Sequence, residues 1–196
     1  MDFTICDFRI HLDFTFFAML GIFLYLDVSA HTWWMLSALL LHELGHFLAA
    51  MLCGIRMKSI SFSCFGIRLT RESIMCENRM HELLVYLGGP LMNGICFLLF
   101  WLLEMPFPCA VHVLLGIFQL LPIGALDGGC VMRLFLEWYL SPEKSEKIGI
   151  WISCGVLLPL FLLGLCLLWR DGHNFTLLLC CVFLLFSVFG EENEKI

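Results

Sequence analysis

The stretch "LLHELGHFLAA", Leu40 to Ala50, sets two histidines and a glutamate inside an apolar run. On a helix, His42 and His46 stand four apart and share one face, with Glu43 beside them. Simple packing gives no apolar reason for any of the three. Ionisable groups in an apolar span are rare and usually functional. The H-E-x-x-H arrangement lets both imidazoles hold one zinc ion while the glutamate handles the proton of an attacking water.

The surroundings of that stretch explain why it is embedded in apolar sequence. The chain has 196 residues, of which 61% are hydrophobic and 14% charged. Soluble domains sit near about 45–50% apolar and about 25% charged. A bilayer is needed to cover such a surface. The net charge of −6 argues against a nucleic-acid partner, which selects basic patches. The 11 cysteines form no C-x-x-C pair, and most lie in apolar runs, so they read as small hydrophobes rather than a disulfide framework. The opening "MDFTICDFRIHLDF" lacks the basic region and cleavage site of a signal peptide.

A helix needs roughly 20 apolar residues to cross the hydrocarbon core. Residues 33–53, 83–103 and 148–169 meet that length, and 14–26 and 175–189 are short candidates. The region 110–140 is too long for one straight span and is interrupted by "PIGALDGG", so it reads as one helix broken at 122–129. Unwound backbone at membrane depth is tolerated only where protein or a watery cavity covers it. Loop charge tests the count of six. One set of alternate loops holds Arg9, Arg56, Lys58, Arg68, Arg71, Arg79, Arg133, Lys144, Lys147 and Lys195, and the other holds only Arg170. That bias puts both termini in the cytoplasm. "SISFSCFGIRLTRESI" alternates across Phe65-Gly66 as a β-hairpin would, although an irregular amphipathic loop fits equally well. "TICDFRIHLDF" could add a strand. The expected fold is therefore an all-α polytopic membrane protein of six transmembrane helices. Its fourth helix is broken at the LDG loop, a small membrane-associated hairpin follows the second, and 1–196 is a single domain.

A catalytic zinc needs three protein ligands and an open position. The residues just after His46 offer none, and Asp127 in the break is the best candidate. At 1.5 Å per residue, His46 and Leu121 lie roughly 20 and 17 Å below the outer face, so the carboxylate arrives at a similar depth. The plainer reading of Asp127 is a helix cap ahead of Gly128. Asn93, in "YLGGPLMNGICF", is either packing glue or a residue facing the zinc cavity. Gln119 sits one turn before the break and could donate into the same cavity. His112 reads as interfacial.

"HELGH", "GGPLMN" and "FQLLPIGALDGG", in this order, resemble the site-2 intramembrane metalloproteases, most closely the stage IV sporulation protein FB group. The resemblance covers nearly the whole chain. It implies that His42, His46 and Asp127 are zinc ligands and Glu43 the catalytic base. It also implies a membrane-tethered protein substrate cut inside the bilayer, such as a sigma-factor precursor, and leaves room for inhibitory membrane partners. The family usually has Asn where Gln119 stands, and an Arg where Cys130 follows the paired glycines. No CBS or PDZ domain is expected.

On this reading Glu43 deprotonates the water that attacks a peptide carbonyl and returns the proton to the leaving amine. Gln119 or Asn93 would help hold the oxyanion, and the hairpin would present an extended substrate strand. Two rivals remain at the level of sequence: a zinc transporter, and a catalytically inactive membrane partner protein.

Overall fold

The structure is a computed structural model that describes residues 2–5, 8–12, 25, 31–55, 57–63, 66–71, 79–171 and 176–193. These form two compact units, Met1–Ile117 and Phe118–Ile196.

The first unit contains a four-stranded sheet in the order β1-β2-β3-β4, from β1 (Asp2–Ile5), β2 (Phe8–Leu12), β3 (Met57–Ser63) and β4 (Gly66–Arg71). β1 and β2 pair antiparallel with Phe3 opposite Ile10, and β3 and β4 do the same with Ile60 opposite Leu69. The central pair is parallel, with Ile10 opposite Ile60. A parallel pair needs a crossover rather than a tight turn. Here the connection contains α1 (His31–Leu52).

α1 ends where Gly54 takes φ +70 and the Ile55 N–H donates to the Ala50 carbonyl at 2.9 Å. This is the left-handed cap that glycine adopts without strain. α2 (Arg79–Leu102) packs against α1 through backbone. A Cβ built on Gly45 would strike the Gly88 carbonyl, and one on Gly88 would lie 2.8 Å from the Ala49 Cβ. Such small-residue contacts let apolar helices approach without side chains between them. α3 (Pro106–Gln119) follows. Phe100 of α2 is edge-on to Trp34 of α1 at 5.6 Å and stacked on His112 of α3 at 5.4 Å, which ties the three helices together.

The second unit comprises α4 (Asp127–Glu137), α5 (Pro142–Asp171) and α6 (Thr176–Asn193), preceded by the irregular segment 120–126. Its core is Ile123, Leu126, Leu157, Leu184 and Val188. The irregular segment is thus pinned by its own apolar side chains. The Gly124 N–H donates to Ser153 Oγ at 3.0 Å, and that hydroxyl donates to the Gly149 carbonyl at 2.8 Å. Cys53, Cys96, Cys109, Cys154, Cys166, Cys180 and Cys181 form no disulfide.

α1, α2 and the Pro142–Arg170 part of α5 are long and apolar enough to cross a membrane. Met51, Leu98, Trp101, Leu114, Trp151, Leu158 and Trp169 all stand more than half exposed. Those helices and that greasy exterior are those of a membrane protein.

The expectation of an all-α molecule with six transmembrane helices is corrected on two counts. Two short segments far apart in sequence pair into a four-stranded sheet in place of an isolated hairpin. Alternation marks a strand without naming its partner, so the β2–β3 pairing was invisible to the local pattern. Among the described residues, three helices rather than six have the length and composition of spans. Region 110–140 is two separate helices of 14 and 11 residues, each short of the roughly 20 a crossing needs. α6 has 18 residues, but its apolar part is only Thr176–Phe189. The expected first span, 14–26, lies outside the described residues except for Tyr25.

Candidate metal centre

His42 and His46 lie one turn apart on the face of α1 that meets α2, and both are buried. Their ring centroids are 4.8 Å apart with planes at 84°, which brings the two Nε2 atoms to 3.1 Å. Gly89 of α2 makes room for them. A Cβ there would collide with both Nε2 atoms.

Each imidazole is held from behind. His46 Nδ1 lies 2.7 Å from the Val85 carbonyl oxygen. A carbonyl only accepts, so His46 Nδ1 carries the proton and donates, and its Nε2 presents a lone pair. His42 Nδ1 lies 2.9 Å from the Asn93 side-chain amide, whose other end lies 3.1 Å from His112 Nδ1. Asn93 and His112 are each only 1% exposed. Among the described residues, no buried side-chain nitrogen or oxygen is left without a hydrogen-bond partner.

The donor set fits zinc. Two nitrogens at about 2.0–2.1 Å from a tetrahedral ion stand about 3.3 Å apart, close to the 3.1 Å found here. An outer ring N–H donating to a backbone carbonyl, as at His46, is a usual support for a metal-binding histidine.

Glu43 is half-buried on α1, next to His42 in sequence. Asp127 and Gln119 belong to the second unit. Asp127 is the first residue of α4 and half-buried; Leu126 is the N-cap, so Asp127 is not the capping residue. A carboxylate in the first turn is favoured by the helix dipole. Close packing at Gly128, where a Cβ would strike the Leu120 carbonyl, fixes the start of that helix. Gln119 is the half-buried last residue of α3.

His112 is the residue that sequence reasoning misplaced. It is not interfacial but fully buried, stacked on Phe100 and bonded to Asn93. A signal was present four residues on, at Gly116, which lies one turn along α3 and 3.4 Å from the Asn93 Cβ. A histidine one turn from a small residue, on an apolar helix, marks a face pressed against a neighbour.

The fold is that of a site-2 protease. A solved structure of the site-2 protease from Methanocaldococcus jannaschii superposes with a TM-score of 0.71, covering 97% of this chain and 94% of that one at 24% identity. Zinc metalloprotease MJ0392 of the same organism is 28% identical over 204 residues, spanning 95% of this chain and 57% of that protein. The Synechocystis protein sll0528, whose name assigns the same class provisionally, is 30% identical over 147 residues, spanning 63% of this chain and 38% of that one. The chain therefore spans about half the length of the curated relatives it matches, or less. No family profile matches it. The chain is thus similar to zinc metalloproteases in sequence and shares the fold of a site-2 protease, and the paired imidazoles fit Zn2+.

Proposed function

We propose that residues 1–196 act as one membrane-embedded zinc metalloprotease domain, hydrolysing a peptide bond of a membrane-tethered protein substrate within the bilayer. The observation that carries this reading is the pair of imidazole Nε2 atoms at 3.1 Å, buried in an apolar helix pair and each supported from behind. His42 and His46 are two of the zinc ligands. Asp127 is the third, on the strength of the motif resemblance and its carboxylate at the start of α4.

When bound, zinc supplies a Lewis acid that lowers the pKa of water towards about 7 and offsets charge developing on oxygen. The protein's own residues do the rest. Glu43 takes the proton of the attacking water and delivers it to the leaving amine. Gln119 donates to the oxyanion, a role the sequence also offers to Asn93. The apolar walls of α1 and α2 exclude bulk water, which strengthens each of these interactions.

The protein is multi-pass in the cell membrane with both termini cytoplasmic, on the distribution of Lys and Arg between its loops. The likeness to the stage IV sporulation protein FB group points to regulated intramembrane proteolysis of a sigma-factor precursor.

Zinc per chain in detergent-purified protein, with cleavage of a reconstituted membrane-tethered substrate, tests the reading. One zinc is expected in wild type, and His46→Ala and Asp127→Asn should lose it. Glu43→Gln should keep zinc and lose cleavage. Zinc flux across sealed vesicles without cleavage would establish a transporter instead.

A further inference from the structure

The metal-centre reading leaves one buried group without a task. His112 is 1% exposed, stacked on Phe100, and reaches no expected zinc ligand directly. Its Nδ1 lies 3.1 Å from Asn93 Oδ1, and Asn93 Nδ2 lies 2.9 Å from His42 Nδ1. Three helices therefore contribute to one chain of polar groups: His112 of α3, Asn93 of α2 and His42 of α1.

That chain constrains where protons sit. For His42 Nε2 to offer its lone pair to a metal, His42 Nδ1 must carry the proton and needs an acceptor. Asn93 can supply one only by turning its carbonyl oxygen to His42, which turns its NH2 to His112. The two ends of an amide are nearly isosteric, so both orientations fit the same space. In the opposite orientation the NH2 donates to His42 Nδ1, the ring proton moves to Nε2, and that atom no longer binds. This second orientation is the one the structure holds, and in it His112 Nδ1 donates to Asn93 Oδ1. With its Nδ1 as acceptor and its proton on Nε2, His112 takes the NH2 and directs the carbonyl to His42.

We propose that His112 is a positioning residue which, by accepting from the turned Asn93 amide, supports His42 in its metal-binding tautomer once metal is bound. This rests on the zinc reading above and adds to it a residue that touches neither metal nor substrate. No proton is gained or lost. On loading, the His42 proton passes from Nε2 to Nδ1, the amide turns over, and the His112 proton resides on Nε2.

The test is zinc affinity by chelator competition on the full-length protein in detergent, for four proteins. His112→Phe keeps an aromatic ring against Phe100 but removes the acceptor; zinc should bind about tenfold more weakly, within the range for outer-shell partners of about 10–100-fold. Asn93→Asp accepts from His42 whichever way it turns, so it should bind zinc at least as tightly as wild type. In the Asn93→Asp background, His112→Phe should cost less than about twofold, because the amide no longer has to be directed. Rescue of that kind separates positioning from packing, since a packing defect would persist. Unchanged affinity in His112→Phe, or an undiminished loss in the double variant, overturns the assignment while leaving the metal centre standing. A wild type that takes up no zinc even when supplied with excess overturns both readings.

Discussion

Two regions of this molecule bury polar atoms in apolar surroundings, and they do it differently. Around His42 and His46 the partners come from a neighbouring helix: the Val85 backbone carbonyl on His46, and on His42 the Asn93 side chain, itself bonded to His112. Around 120–126 the groups are backbone: the Leu121, Ile123 and Leu126 N–H groups donate to nearby carbonyls, and the Gly124 N–H donates to the Ser153 hydroxyl on α5. The first arrangement aims functional nitrogens at a point. The second keeps an irregular segment from seeking water, since an unsatisfied backbone group in an apolar setting costs free energy. Damage to the first should appear in metal binding with the fold retained, and damage to the second in stability with the imidazole pair retained.

The largest effect should come from Gly89→Ala. Its Cβ has no room beside the two Nε2 atoms, so zinc content should fall below detection while helical circular dichroism stays within a few per cent of wild type. Zinc retained at wild-type level would mean that α2 yields, and that the contact is softer than its geometry. Next is Ile123→Ala. Ile123 is fully buried in the second-unit core, and deleting it should lower stability by about 2–4 kcal/mol, read from thermal unfolding in detergent, with zinc content unchanged. Ser153→Ala should cost about 1–2 kcal/mol by orphaning the Gly124 N–H, again without loss of zinc. If Ser153→Ala released zinc while Ile123→Ala did not, the division of labour drawn here would be wrong.

Much of the first region was legible because its chemistry is local in sequence. His42, Glu43 and His46 fall within five residues, and helical spacing alone puts the two imidazoles on one face. Asn93 was visible as either packing glue or a residue facing the cavity, and the structure bonds it to His42. The burial of His112 was signalled only by Gly116 one turn on, and its bond to Asn93 was not legible, since it depends on which helix faces Asn93. The parallel pairing of Ile10 with Ile60 was hidden for a related reason: about fifty residues separate the partners. The break at 120–126 could be read from "PIGALDGG", whereas its anchoring to Ser153 thirty residues away could not.

The vacant position at Gly89 has a consequence for how this protein can change over generations. Every replacement of glycine adds at least one carbon, and here the first carbon already occupies the space that both nitrogens need. No intermediate amino acid makes the step smaller, so drift at this codon has no gentle slope to follow. A lineage that abandoned the metal could cross it in a single mutation. One that kept the metal would have to move a whole helix first.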